Sequence, residues 1–244
     1  MQENKVVSKS EWLNARKTFL VKEKELTRRR DRLNQERRTL PWVKVDKEYI
    51  FESPKGRTTL AELFGDKSQL LIYHFMFGPE WEQGCPSCSM ASDTIDSNLF
   101  HLNSRDVALA VVSRAPIAKI EPFHQRMGWR FPWVSSFGSD FNQDFAVSFT
   151  PEQRQGANYY NFGTSAFPSE EAPGMSAFYR NEAGEIFHTY SSYARGSEGL
   201  LGVYALLDVA PKGRDEDSLP YPMAWVRHHD RYEKPAKHSC CEGH

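Results

Sequence analysis

The most constraining feature of this chain is a pair of cysteines two residues apart, Cys85-Pro86-Ser87-Cys88, placed just after its longest apolar run, Leu70 to Phe77. Eight consecutive residues of that kind, His74 among them, read as a strand buried on both faces, the habit of strands in parallel sheets. A seven-residue loop, 78–84, separates run and cysteines, and the segment from about 86 to 101 reads as a helix. Val107 to Val112 is a second apolar strand, Pro116 to Met127 a second helix, and Phe131 to Ser135 a third strand. Strand and helix in alternation imply parallel strands joined by right-handed crossovers.

The chemistry open to a C-x-x-C pair follows from its place in that pattern. A structural zinc site needs a second pair of ligands, and no other C-x-x-C exists in the 244 residues. A redox pair needs a strand leading in and a helix leading out, which is what surrounds it. Cys85 falls at the helix N-terminus, where unpaired N–H groups and the helix dipole favour a negative sulfur. Its pKa is then expected to drop below the usual value of about 8.5. Cys88, one turn on, falls beneath it as the more buried, resolving sulfur. Pro86 suits the first helical position, which needs no N–H donor. Metal binding and inert structural thiols remain the competing readings.

The rest of the chain frames this unit. Residues 1–40 carry 12 Lys and Arg against 6 Asp and Glu, whereas the remaining 204 carry 19 against 26. Ser10 to Arg38 has neither Gly nor Pro and reads as one long helix, with Ser8 or Ser10 as N-cap and Leu40-Pro41 at its far end. Trp12, Phe19, Leu26, Leu33 and Leu40 recur every seven residues as a narrow stripe, a candidate contact for a second subunit. The basic cluster Arg28-Arg29-Arg30 is interrupted by Glu23, Glu25, Asp31 and Glu36, so a solvated face is expected and nucleic acid is not.

Further along, Trp42 to Val45 and Tyr49 to Phe51 look like strands about a turn at Asp46-Lys47. Pro54-Lys55-Gly56 is a turn, and Thr58 to Phe64 a helical turn closed by Gly65. Residues 138–172 read as an insertion of loops and short elements. Met175 to Arg180 and Glu185 to Tyr190 form a hairpin about Asn181-Glu182-Ala183-Gly184, and Glu198 to Leu207 a final helix. Three regions are expected: a basic helix over 1–41, a domain over 42–210, and a polar tail over 211–244. No segment has the roughly 18 apolar residues of a membrane span. With no apolar leader after the first residues, a cytoplasmic protein is expected.

Taken together, Tyr49-Ile50-Phe51, Pro54-Lys55-Gly56, Thr59 to Phe64, the apolar strand, the C-x-x-C helix and the hairpin from Gly174 to Ile186 resemble thioredoxin-like and peroxiredoxin-like proteins. More narrowly, the chain resembles the domain of unknown function 899 family. Trp12 with Ala15-Arg16, Lys22 to Glu25, Arg37-Arg38 with Leu40-Pro41-Trp42, Cys85 to Ser89, Phe187 to Tyr190 and Tyr193 to Gly196 carry that resemblance, over residues 6–232. It implies a thioredoxin-like, peroxiredoxin-variant α/β/α sandwich of three layers with an N-terminal helical extension. The implied activity is dithiol–disulfide isomerisation, and the C-x-x-C pair itself reads as a thiol–disulfide oxidoreductase or isomerase in which Cys85 attacks and Cys88 resolves, with a thiol or disulfide as substrate and no cofactor.

The resemblance also places Pro173 as the cis-proline that lies against the reactive cysteine and presents a substrate edge. Trp81 is placed as the aromatic before the cysteine pair, four residues upstream instead of adjacent. A peroxidase is the alternative, but the position three before Cys85, where peroxiredoxins carry Thr, holds Glu82. A binding or assembly protein with structural cysteines is the third reading. His74 and His188 are expected as hydrogen-bonded core residues or, for His74, a proton acceptor near the cysteines. Cys240-Cys241, flanked by His238 and His244, reads as a soft-metal site, a second dithiol or a plain terminus.

Overall fold

The computed structural model describes residues 4–155, 159–163 and 167–233, so Cys240, Cys241, His238 and His244 lie outside the described residues. The chain divides into two units, residues 1–43 and 44–244. The first is built on helix α1 (Lys9–Arg37), which starts one residue before the expected position because Ser8 caps it. The Glu11 N–H donates to Ser8 Oγ at 3.2 Å and the Ser8 N–H to Glu11 Oε2 at 3.0 Å, a reciprocal capping box. Among the described residues no helix is long and apolar enough to cross a membrane.

The second unit is organised by one sheet. Its strands are β1 (Val43–Lys44), β2 (Ile50–Ser53), β3 (Gly56–Thr59), β4 (Gln69–His74), β5 (Val107–Ser113), β6 (Trp133–Ser135), β7 (Gly174–Arg180) and β8 (Ile186–Tyr193), in the spatial order β1-β8-β7-β4-β5-β6-β2-β3. The apolar run forms β4 at the centre. It is parallel to β5, with Gln69 opposite Val107 and His74 opposite Val112, and antiparallel to β7, with His74 opposite Gly174. The two strands expected to form a hairpin around Asp46-Lys47 do not pair. β1 and β2 stand toward opposite edges, and β2 pairs instead with β3 across Pro54-Lys55.

The helices of this unit are α2 (Pro86–Ser97), α3 (Leu99–Asn103), α4 (Ile117–Met127), α5 (Phe141–Asp144), α6 (Pro151–Gln155) and α7 (Gly202–Leu207). The single helix expected over 86–101 is interrupted at Asn98, whose φ of −100° and ψ of −2° leave the helical path and whose side-chain amide donates to Thr94 O at 2.7 Å. The expected final helix is likewise divided at Leu201, with a 3₁₀ turn from Ala194 to Leu200 before α7. α4 ends on Gly128 at φ +65°, a left-handed terminus that glycine adopts without steric cost.

Alternation along β4 divides the core. Leu70 and Ile72 face a cluster with Phe51, Phe64, Phe141, Val147 and Phe178. Tyr73, Phe75 and Phe77 face a cluster with Cys88, Ala91 and Ile95 of α2 and Ile120 and Phe123 of α4. A three-layer α/β/α arrangement is therefore present. One outer layer is α2 and α4. The other includes α5 and a 3₁₀ turn at Glu62–Phe64, so the 138–172 insertion supplies core residues.

His74, 1% exposed, points into the α5 face, where it stacks on Phe141 and Phe145. It is a core histidine on the opposite side of the sheet from Cys88, which removes it as a proton acceptor for the cysteines. Its Nε2 lies 2.8 Å from Ser176 Oγ, Ser176 Oγ 2.8 Å from Ser191 Oγ, and Ser191 Oγ 2.7 Å from His188 Nε2. Burial, with the His188 ring adding to it, pushes the His74 pKa down to about 3. Below pH 6.5 the unfolded chain takes a proton there and the folded chain does not. His74 alone should therefore lower stability by about 1.4 kcal/mol per pH unit from 6.5 downward, levelling off near pH 3. Urea unfolding at pH 7, 6 and 5 checks this. His74→Gln should flatten that share of the slope, and an unchanged slope would refute the assignment.

Candidate functional site

The site begins where β4 runs out. After Phe75, Met76 and Phe77, the loop of residues 78–84 turns back so that the Cys85 N–H donates to Met76 O at 3.0 Å. Two side chains hold that loop. Lys119 Nζ of α4 donates to Pro79 O at 2.7 Å, and Trp81 Nε1 donates to Glu170 Oε1 at 2.6 Å. Gly84 ends it because nothing larger fits: a Cβ there would lie 2.5 Å from Phe75 Cε1 and 2.9 Å from Phe123 Cε1.

Cys85 is the N-cap of α2 and Pro86 its first residue, as the sequence implies. Both thiols are free, Cys85 partly exposed and Cys88 buried at 2% exposure. Their environments push them apart. The Cys85 pKa is lowered to about 7, chiefly by the Cys88 thiol donating to its sulfur. Burial works against that shift, and the N–H groups of Cys88 and Ser87 reinforce it. Cys88 is pushed well above the usual thiol range by burial first and by Cys85 second. The hydroxyl of Tyr73, 3% exposed on β4, turns toward the Cys88 sulfur and opposes that rise. Burial keeps Tyr73 itself protonated, so it acts as a donor. One sulfur is thus accessible and about half anionic near pH 7, and the other is enclosed and protonated.

Of the other residues singled out from the sequence, Trp81 is half-buried and packs against the same apolar cluster as Cys85. Its nitrogen is committed to Glu170, so it is fixed in place. Glu82 is exposed, and the groups that set the Cys85 pKa do not include it. Pro173 corrects an expectation. It stands at the same end of the sheet as the cysteine loop, since Gly174 is opposite His74, yet its peptide bond is trans, as are all those described. The chain on both sides is already extended and paired. The Ala172 N–H donates to Val147 O at 2.8 Å, and Pro173 O accepts from the Tyr160 hydroxyl at 2.8 Å. That carbonyl is occupied within the protein.

Sequence reasoning missed two further contributors. Behind the loop, Arg114 Nε donates to the buried Glu171 Oε1 at 2.6 Å, and its NH2 lies 3.6 Å from the Oε2 of Glu170, the partner of Trp81. Residues 211–233, expected as a polar tail, return to the body. His228 is 4% exposed with Nε2 2.8 Å from Gly84 O, and the neighbouring His229 lies 2.7 Å from Asp93 of α2. No spacing in the sequence signals either contact. Among the described residues no group of three or more His, Cys, Asp or Glu side chains is arranged to hold a metal ion.

A family described as "Bacterial protein of unknown function (DUF899)" matches residues 1–232. No curated protein matches the chain. Solved structures similar to it include the peroxidoxin BcpB of Mycobacterium tuberculosis, 10% identical over 66% of this chain and 93% of that one, with a TM-score of 0.45. A peroxiredoxin Q of Xanthomonas campestris is 15% identical over 69% and 95%, at 0.43. A candidate protein disulfide isomerase of Bacteroides thetaiotaomicron is 14% identical over 68% and 88%, at 0.38.

Proposed function

We propose, for a chain that belongs to the family of bacterial proteins of unknown function (DUF899), that Cys85 and Cys88 are a dithiol that exchanges with disulfides. The observation that carries this reading is the placement of two free sulfurs at one helix end, Cys85 partly exposed at the N-cap and Cys88 buried one turn on, in surroundings that push the first pKa down to about 7 and the second up. A pair of inert packing thiols has no use for that difference. A dithiol that must attack first with one sulfur and then with the other does.

In this reading the Cys85 thiolate attacks one sulfur of a substrate disulfide. A new sulfur–sulfur bond forms, the substrate bond breaks, and its other half leaves as a thiolate that takes a proton from solvent. Cys88 then loses its proton and attacks the Cys85 sulfur. The Cys85–Cys88 disulfide forms, and the second substrate thiol leaves with a proton. The substrate gains two electrons and the protein loses two, so turnover needs a thiol reductant, and isomerisation needs the first step to be reversed before the second completes. Cys88 is held protonated during the first step, which keeps it from competing, and the Tyr73 hydroxyl steadies its thiolate in the second. Trp81, fixed by Glu170, supplies the apolar wall against which a substrate segment would lie.

The test is a redox titration in dithiothreitol buffers followed by alkylation and mass analysis. A two-electron transition that protects Cys85 and Cys88 together is expected, with Cys85 alkylated first and half-maximally near pH 7. Two thiols that alkylate independently at every buffer ratio would end the proposal. Brief treatment with peroxide separates the peroxidase reading, which requires a sulfenic acid on Cys85.

A further inference from the structure

The carbonyl of Gly84 and the N–H of Cys85 belong to one peptide plane, and the protein grips that plane at both ends. The N–H donates to Met76 O at 3.0 Å. The carbonyl accepts from His228 Nε2 at 2.8 Å, a residue 144 positions away. The plane has little other freedom, since Gly84 lies directly on the rings of Phe75 and Phe123.

His228 is equipped for the task. Its ring meets Phe123 edge to face with centroids 5.2 Å apart, and Phe123 carries the Arg126 guanidinium 4.8 Å above its centroid. Arg126 NH2 lies 2.8 Å from His228 Nδ1. A guanidinium only donates and a carbonyl only accepts. The two partners therefore fix the imidazole as the neutral tautomer, with its proton on Nε2 and aimed at Gly84. Arg126 is itself held by Asp230 at 3.1 Å, and its NH1 donates to Gln83 Oε1 at 3.1 Å, on the residue before Gly84. On the other side of His228, His229 Nδ1 is 2.7 Å from Asp93 of α2, and Val226 is buried. The C-terminal segment thus crosses from the body of α2 to the loop in front of it.

We propose that His228 is a positioning residue for Cys85: by gripping the Gly84 carbonyl it fixes the peptide plane from which the Cys85 side chain departs, and with it the seat of the Cys85 sulfur beside Cys88. The cysteine stands at the cap, where a small rotation of the preceding peptide swings Cβ and Sγ away from the Cys88 thiol. Fixing the plane fixes that direction. The role deepens the dithiol reading, but its readout is the acidity of one thiol, which can be measured whether or not the protein exchanges disulfides.

The experiment compares His228→Phe and His228→Gln in the full chain. Phenylalanine keeps the ring on Phe123 and removes the donor. Glutamine keeps an N–H for Gly84 and an oxygen for Arg126. The rate of Cys85 alkylation by iodoacetamide is followed from pH 5 to 9, with thermal unfolding recorded in parallel. His228→Phe should move the midpoint up by about half a unit or more and slow alkylation at pH 6 by about threefold. His228→Gln should restore both. A purely structural role would lower the thermal midpoint and leave the alkylation midpoint where it is. Folded His228→Phe with an unshifted midpoint, or folded His228→Gln that behaves like Phe, would overturn the proposal. Should the Phe variant not fold, His228→Asn takes its place, its amide being too short to reach Gly84. A midpoint equal to that of Gln then refutes the role, and one displaced upward supports it.

Discussion

Cys85→Ser should abolish disulfide exchange, while Cys88→Ser should preserve the first attack and stall the second. The asymmetry follows from the environments of the two sulfurs. Only Cys85 is partly exposed, and only Cys85 has its thiolate favoured near neutral pH. A serine there presents a hydroxyl that does not ionise at working pH, and Cys88, buried at 2% exposure and raised well above the thiol range, cannot replace it. The expected loss is to background, a factor of about 10³ or more for removal of an essential nucleophile. With Cys88→Ser, a mixed disulfide between Cys85 and substrate should accumulate and be visible as a mass increase that dithiothreitol removes. Cys88→Ala, which unlike serine leaves no donor, removes the chief influence that lowers the Cys85 pKa, so the alkylation midpoint of Cys85 should rise in that variant. Undiminished exchange by the Cys85 variant would rule out the assignment.

The second large effect concerns stability. Arg114→Met should cost about 3–5 kcal/mol, the usual penalty for leaving one partner of a buried ion pair uncompensated. Glu171 is 1% exposed, and Arg114 is its counter-charge at 2.6 Å. Ser148 Oγ donates to the same carboxylate, and Asn142 Nδ2 stands 3.5 Å from it. Burial already pushes the Glu171 pKa up, and Arg114 is the first of the groups that pull it back. Without the arginine the folded-state pKa rises further above the unfolded value near 4.5. The folded form then binds the proton that the unfolded chain releases, so the penalty should be small at low pH and grow as pH rises through neutrality. Urea unfolding at pH 5 and pH 8 reads both size and sign. Glu171→Gln added to Arg114→Met should recover most of the loss. A single-variant loss under about 1 kcal/mol would show that the pair is dispensable.

Much of the architecture was legible because it is local. An eight-residue apolar run reads as an interior strand, and its residues Leu70 to His74 lie in β4. A proline between a cysteine and a serine marks a helix start. The turn at Asn181 to Gly184 announces its hairpin. Two of three misreadings, the β1–β2 hairpin and Pro173, come from tertiary pairing that local pattern does not encode, and the third, at Asn98, from a local side-chain bond to Thr94 O. β1 and β2 look like neighbours, yet β1 pairs with the remote β8, and β2 with the adjacent β3 and the remote β6. The helix after Cys88 has no breaker in its composition, but Asn98 finds a carbonyl to bind. Pro173 matches the position of a bent proline, whereas its flanking residues are already paired in extended form. The site was half legible. The cysteines announce themselves. Tyr73 is hidden as one apolar-run aromatic among several, Arg114 follows a strand like any solvated residue, and His228 stands in a polar stretch whose composition gives no sign of return.

The grip of His228 on Gly84 has a consequence for the protein's birth. At a synthesis rate of about 5–20 residues per second, the 144 residues between the two take roughly 7–29 s to emerge from the ribosome. For that interval the nascent chain already carries both cysteines but not the histidine that binds the Gly84 carbonyl. The peptide plane before Cys85 is therefore gripped at both ends only once residue 228 has been made and has folded back.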